Sequence, residues 1–464
     1  MQIKFGTSGW RAIIADEFTF ANLRKVTSAI AKYIKSEHLQ HKGIIVGYDT
    51  RFLSKEFAHA AAATLAEYNI KVFLTSRDTP TPAIADQILA KKTAGGINIT
   101  ASHNPPEYSG IKFSPAYGGP ASIDVTSQIE RNIQSQNLPA AKLKARINLF
   151  DPRPGYLKRL KKIVNLAAIR RARLKIGLDF LYGTGRGYLD QVLRSAGCRL
   201  ELLHDYLDPS FGGFSPEPES RQLQELIQLV RKKRLHLGLA LDGDADRFGI
   251  VDRDGSYISA NQALSLLTYH LINTRPRQKT VARTLATTHM MDALAQKYGY
   301  QLVETFVGFK YIGQEIARGD CLIGGEESGG LSIAGHIPEK DGILACLLIA
   351  ELIAIEKKSL GQLLKQLYRE VGPHFSARSD IRITEKEKLS FTNRIKALAQ
   401  GQTLLGRRLS SFNGSDGHKF IFTDRSWLMF RVSGTEPVIR CYCEASSKPK
   451  LQDLLRLGQK LVKK

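Results

Sequence analysis

Gly95-Gly96-Ile97-Asn98-Ile99-Thr100-Ala101-Ser102-His103-Asn104-Pro105 sets the pattern for the chain. A glycine-led run with strand character is broken by a Ser-His-Asn-Pro-Pro turn, so a hydroxyl is carried on a constrained loop at a strand's end. Loops held by a rigid scaffold are where chemistry concentrates. Taken alone, the turn is ordinary, because Ser, Asn and Pro favour turns for local reasons. Working outward, strand-like and helix-like segments alternate. Ile44-Ile45-Val46-Gly47-Tyr48-Asp49 reads as a short strand, Phe57 to Tyr68 as an Ala-rich helix, and Ile70 to Leu74 as a strand. Thr79-Pro80-Thr81-Pro82 then breaks the chain before another helix. This alternation predicts α/β layering.

Asp151-Pro152-Arg153-Pro154-Gly155 is a Pro-rich joint, after which the pattern restarts. Leu174 to Asp179 reads as a strand, Tyr188 to Ala196 as a helix, and a helix from Ser220 to Arg234 leads into the strand His236 to Leu241. A third unit opens with a helix near Ala260 and includes the strand Thr280 to Leu285 and a helix from His289 to Tyr298. From about Gly372 the composition shifts to strands with two helices, which predicts an α+β unit. The expected division is 1–150, 151–255, 256–370 and 371–464.

At 464 residues the chain has ample material for several cores. Apolar content of 43% and charged content of 24% are those of a globular protein. Met1 to Thr7 lacks an apolar signal core, and the most apolar run, Gly342 to Ile355, is too short to span a bilayer and contains Glu351. The protein is therefore expected to be cytoplasmic, with no membrane partner. Five cysteines without a C-x-x-C pair argue against a disulfide framework or a zinc knuckle. The net charge of +23 is the unusual bulk property. Its basic clusters, between Arg153 and Lys175 and at Arg231-Lys232-Lys233-Arg234, lack the interleaved aromatics that stack bases, so nucleic acid is not expected as a partner.

Asp242-Gly243-Asp244-Ala245-Asp246-Arg247 follows the apolar run Leu237 to Leu241. Carboxylates at i, i+2 and i+4 diverge by about 200° per step on a helix but converge on one side of an extended or looping chain. Hard oxygen donors at a strand's end suit Mg²⁺. An EF-hand is excluded, because its sixth position is Arg247 and its twelfth Arg253. Gly324-Gly325-Glu326-Glu327-Ser328-Gly329-Gly330 places carboxylates and a hydroxyl in a glycine-flanked loop, groups that can bond vicinal hydroxyls. Arg431-Val432-Ser433-Gly434-Thr435-Glu436-Pro437, with Arg440 nearby, has the composition of an anion-binding nest.

Together with Gly6-Thr7-Ser8-Gly9-Trp10-Arg11, these stretches closely resemble, in order, the motifs of the α-D-phosphohexomutase superfamily, which includes phosphoglucomutase, phosphomannomutase and phosphoglucosamine mutase. The resemblance implies three similar α/β domains with mixed sheets and a C-terminal α+β domain resembling the TATA-binding-protein fold, arranged around a central cleft. The four would carry a phosphoserine loop, a metal-binding loop, a sugar-binding loop and a phosphate-binding loop. It implies that Ser102 is phosphorylated in the active form. Asp242, Asp244 and Asp246 would hold Mg²⁺ together with a phosphoserine oxygen. Arg11 and Arg247 would stabilise the transferring phosphoryl group, with Lys112 as general acid/base and His103 assisting. Lys310, Glu326 and Ser328 would contact the sugar, and Arg431, Ser433, Gly434, Thr435 and Arg440 the other phosphate.

The activity so implied is interconversion of hexose 1-phosphate and hexose 6-phosphate, with a hexose 1,6-bisphosphate as intermediate and activator. Sugar phosphates would be the partners, and the chain a monomer or homodimer. The sugar loop reads Glu-Glu-Ser-Gly-Gly rather than the Glu-Met-Ser-Gly-His of dual phosphomannomutase/phosphoglucomutases, which favours glucose over mannose or glucosamine. Ser109 stands where the family commonly has Asn. Of the other classes, a metal-dependent sugar phosphatase could use the same acidic cluster, whereas a kinase is disfavoured by the absence of a G-x-x-x-x-G-K-[ST] loop.

Overall fold

In each of the first three sheets a buried strand with a parallel neighbour runs into a loop, and the chain returns antiparallel beside it. The three pairs are Gly95–Ile99 with Tyr108–Pro115, Leu237–Leu241 with Phe248–Asp252, and Cys321–Gly325 with Leu331–Ile333. Their connecting loops are the Ser102 loop, the three-aspartate loop and the Glu326 loop. The structure is a computed structural model and describes residues 3–5, 9–135, 145–398, 401–404, 406–432 and 438–463.

The first sheet has six strands in the order Trp10–Ile13, Tyr108–Pro115, Gly95–Ile99, Ile44–Tyr48, Val72–Thr75, Ile147–Phe150. Its inner strands Ile44–Tyr48 and Gly95–Ile99 are buried throughout, the near-continuous apolar pattern of strands covered on both faces. Helices Phe20–Ser36, Ser54–Glu67, Thr81–Lys91 and Ile123–Gln134 accompany it, the first capped by Thr19, whose hydroxyl accepts from Asn22 N–H. The second sheet has five strands and the third four, both mixed. The last strand of the second sheet, Tyr257–Ile258, lies past residue 255. The fourth sheet has six strands, all antiparallel. Helices Glu385–Leu398 and Lys448–Lys463 pack on it, and Cys441 and Cys443 face the same apolar core. The four-domain α/β architecture expected from the sequence is therefore present.

Helix Gly342–Glu356 is buried almost all round, at the centre of an apolar cluster shared by the second and third domains. Glu351 within it is fully buried because His270, Arg275 and the main-chain N–H of Asn165 all bond to its carboxylate. Among the described residues no helix is long and apolar enough to cross a membrane, and the five cysteines are free and buried. Two element limits differ from the sequence pattern. Helix Ser54–Glu67 begins before Phe57, since its first turn is polar and escapes an apolar periodicity. Helix Gln224–Lys233 begins after Ser220, because the N–H groups of Gln222 and Leu223 close a turn on Glu219 O.

Candidate active site

Ser102 sits in the left-handed region with φ of 52°, unusual for a side chain larger than glycine. Its N–H donates to Thr100 Oγ1 at 2.8 Å, and its hydroxyl donates across the domain boundary to Asp242 Oδ2 at 2.8 Å. His103 Nδ1 lies 3.4 Å from the same hydroxyl. Burial, then the charges of Arg247 and Arg11, hold the His103 imidazole well below its ordinary range, so it is neutral. Arg11, on the strand antiparallel to Tyr108–Pro115, donates to Asn104 Oδ1 at 2.6 Å.

Asp242, Asp244 and Asp246 each offer a carboxylate oxygen, and these oxygens lie within 4.8 Å of one another. All three residues are fully buried. Lys112 Nζ bonds Asp244 Oδ2 at 2.6 Å and Asp246 Oδ2 at 3.1 Å, and Lys340 Nζ lies 2.9 Å from Asp246 Oδ2. Thr81 Oγ1 donates to Asp244 Oδ2 at 2.6 Å. For Asp244 and Asp246, burial raises the carboxyl pKa, but the neighbouring cations, Lys112 above all, outweigh it and leave both below the ordinary range. Asp242 is pushed well above that range by burial and by its two anionic neighbours. It accepts from Ser102 Oγ and from the Arg247 N–H, and among the described residues no side-chain cation bonds it. Asp244 Oδ1 and Asp246 Oδ1 are buried without a hydrogen-bond partner. Three clustered carboxylates, two of which carry an oxygen without a hydrogen-bond partner, fit a divalent cation such as Mg²⁺. Arg247 turns its guanidinium towards Glu217, 3.3 Å away.

In the third domain Ser328 Oγ donates to Glu326 Oε1 at 2.8 Å, so the two expected sugar contacts form one unit. The Glu326 charge reaches both Arg247 and Lys340, placing this unit beside the carboxylate loop. A cavity of about 310 Å³ opens between the second, third and fourth domains, with Arg247, Asn261, Ser328, Arg378 and Trp427 among its walls. Burial, then the charge of Arg431, lowers the Lys310 ammonium pKa; Arg431 itself pairs with Asp416 at 3.2 Å. Arg431 and Arg440 stand directly opposite each other in the hairpin Trp427–Val432 and Val438–Ala445, with Arg440 Nε 3.7 Å from Asp380. Ser433, Gly434 and Thr435 lie outside the described residues.

Ser102, His103, Arg11, Lys112, Arg247 and the three aspartates thus converge from two domains, while Lys310 and Arg431 converge separately. Sequence reading missed Thr81, Lys340 and Arg51. Thr81 begins a helix after the Pro-rich break, and its hydroxyl accepts from Asn98 Nδ2 at 2.8 Å while donating to Asp244. Its Thr-Pro context signalled only a turn. Lys340 lies between Glu339 and Asp341 in the connection to helix Gly342–Glu356, where no local pattern marks it. Arg51, at the end of strand Ile44–Tyr48, carried one signal, its place at the carboxyl end of a buried parallel strand.

Comparison with known proteins follows the same architecture. The family models described as phosphoglucomutase/phosphomannomutase alpha/beta/alpha domains I, II and III match residues 2–139, 154–255 and 259–371, and the C-terminal domain model matches 381–456. A phosphoglucomutase/phosphomannomutase of Thermococcus kodakarensis is 29% identical over 460 residues, covering 99% of this chain and 98% of its own. A Thermococcus gammatolerans protein named as a probable phosphoglucosamine mutase is 30% identical over 470 residues, covering 99% and 98%. A Thermus thermophilus crystal structure, provisionally named a phosphomannomutase, superposes with a TM-score of 0.88 at 32% identity and covers 100% of both chains.

Proposed function

Because the chain belongs to the phosphoglucomutase/phosphomannomutase family, whose members are isomerases, we propose that it interconverts hexose 1-phosphate and hexose 6-phosphate through a phosphorylated Ser102. The observation that carries this reading is the 2.8 Å bond from Ser102 Oγ to Asp242 in the buried carboxylate cluster. A bare serine is a poor nucleophile at neutral pH, whereas a phosphoserine is already a phosphoryl donor. The P–O bond to Ser102 Oγ breaks as one forms to the free hydroxyl of the sugar. The proton of that hydroxyl is lost and Ser102 Oγ gains one, with Lys112 relaying it and His103 assisting. The resulting hexose 1,6-bisphosphate reorients, and its other phosphoryl group returns to Ser102.

Ser102, Asp242, Asp244 and Asp246 would hold Mg²⁺. The ion would neutralise developing charge on the phosphoryl oxygens. Arg11 and Arg247 do the same with fixed guanidinium forks, a form of stabilisation that needs no reorganisation during transfer. Glu326, Ser328 and Lys310 bind the sugar. Arg431, Ser433, Gly434, Thr435 and Arg440 hold the phosphate that is not transferring.

Glucose is the favoured hexose, on the Glu326-Glu327-Ser328-Gly329-Gly330 sequence. The similarity to a probable phosphoglucosamine mutase supports glucosamine as the second reading. Comparing kcat/KM for glucose 1-phosphate, mannose 1-phosphate and glucosamine 1-phosphate, with a catalytic amount of bisphosphate, decides between them. A tenfold preference for either rival, about 1.4 kcal/mol in transition-state binding, overturns the glucose assignment. Net release of phosphate instead of isomerisation would point to a phosphatase.

A further inference from the structure

We propose that Arg51 is a positioning residue for phosphoryl transfer: it clamps the Ser102 loop by four main-chain carbonyls and ties that clamp to the second domain through Phe211. The inference rests on the reading of Ser102 as the phosphoryl carrier. Arg51 is only 3% exposed. Its Nη1 donates to Pro105 O at 2.7 Å and Tyr108 O at 2.9 Å, and its Nη2 to Ser102 O at 2.7 Å and Asn104 O at 2.6 Å. Its Nε lies 3.2 Å from Asp49 Oδ2. Asp49 is fixed in turn, its Oδ1 accepting from Arg51 N at 3.0 Å and from Ser54 Oγ at 2.6 Å.

The hydrogen bonds of the guanidinium go to main-chain oxygens and its ion pair to Asp49, so it acts on the loop and leaves the reacting hydroxyl to others. Four carbonyls drawn to one cation fix the backbone from Ser102 to Tyr108. That backbone includes the left-handed φ of 52° at Ser102, a conformation costing on the order of 1 kcal/mol for a residue with a side chain. A loop left to itself would relax away from it. The conformation matters because it directs Ser102 Oγ to Asp242 while the carbonyl turns back to Arg51. A lysine cannot replace this arrangement, since its three donors radiate from one point and lack the planar fork.

The second domain closes over the same clamp. The Phe211 ring, buried in the loop after strand Arg199–Leu203, lies under the guanidinium with its centroid 4.9 Å from the central carbon. A side chain at Gly243 would come within 2.7 Å of Ser102 O, so the aspartate loop rests directly on the clamped carbonyl. Serine and carboxylates are thereby held in register by the packing of Arg51 between the domains.

The test uses the full-length protein, hexose 1,6-bisphosphate labelled in its phosphates, and the Arg51→Lys and Phe211→Ala variants. Arg51→Lys is expected to slow both Ser102 labelling and kcat about 100-fold with KM within about twofold of wild type, the signature of a misplaced reacting group. Phe211→Ala is expected to lower kcat about threefold, again at steady KM, as loss of one cation–π contact implies. Labelling at the wild-type rate in Arg51→Lys, or a rise in KM with kcat intact, overturns the proposal. If Arg51→Lys does not fold, Phe211→Ala decides: reduced kcat at constant KM supports the clamp, and unchanged kcat refutes it. Wild-type protein that takes no label on Ser102 refutes the carrier reading itself, and the clamp's role in catalysis with it.

Discussion

Replacing Lys112 with Met removes the ammonium bonded to Asp244 at 2.6 Å and to Asp246 at 3.1 Å, both carboxylates having no exposure to solvent. Breaking a buried pair by deleting one partner costs roughly 3–5 kcal/mol, because the surviving charge is left without compensation. The lower end is expected here, since Lys340 still pairs with Asp246 at 2.9 Å and Thr81 still donates to Asp244 at 2.6 Å. In chelator, the first urea-unfolding transition of Lys112→Met should therefore lose about 3 kcal/mol relative to wild type. Mg²⁺ should return much of that loss. A ligand at 100 times its Kd contributes about 2.7 kcal/mol, and a cluster one positive charge poorer binds a cation more tightly. The Mg²⁺-induced gain should thus exceed the wild-type gain by about 1 kcal/mol or more. Equal gains in the two proteins would contradict the assignment of the three aspartates to a cation site. A variant as stable as wild type in chelator would contradict the buried-charge argument.

Thr81→Val keeps the side chain's shape but leaves Asp244 one donor short and Asn98 Nδ2 without its acceptor; about 1–3 kcal/mol should be lost in urea unfolding, and a loss below about 0.5 kcal/mol would refute the bond's importance. At the joint between the third and fourth domains, His289 Nε2 accepts from Lys419 Nζ at 2.8 Å and must be unprotonated. Burial, then Arg283 and Lys419, hold its pKa at about 2. The unfolded chain takes up a proton near pH 6.5 that the folded state refuses, so stability falls as pH drops below that value, by about 1.4 kcal/mol per unit. His289→Gln should flatten the urea midpoint between pH 7 and 5, and parallel curves for variant and wild type would refute this origin.

What the sequence made legible was whatever chemistry is contiguous. Asp242, Asp244 and Asp246 stand within five residues after an apolar strand, so their convergence follows from loop geometry alone. Ser102 was legible as a hydroxyl on a turn, but its partner Asp242 is 140 residues away and only the fold supplies it. Lys112 was marked by the family resemblance, with no local pattern to single it out. Thr81, Lys340 and Arg51 were missed for one physical reason: each acts on a residue distant in sequence, and its own neighbourhood reads as an ordinary turn or connection. The alternation of elements was visible because buried strands such as Ile44–Tyr48 are apolar throughout. Element ends were blurred where a helix begins with polar residues, as at Ser54-Lys55-Glu56, the last two of which face solvent.

The central claim is that Ser102 carries the phosphoryl group before the sugar phosphate arrives. Peptide mapping by mass after incubation with hexose 1,6-bisphosphate and Mg²⁺ tests it most directly. The expected result is one added phosphoryl group on the peptide containing Ser102, removed again by excess hexose monophosphate, with neither event in Ser102→Ala, which should also have no mutase activity. Phosphorylation at another residue, or isomerisation by Ser102→Ala at the wild-type rate, would contradict it.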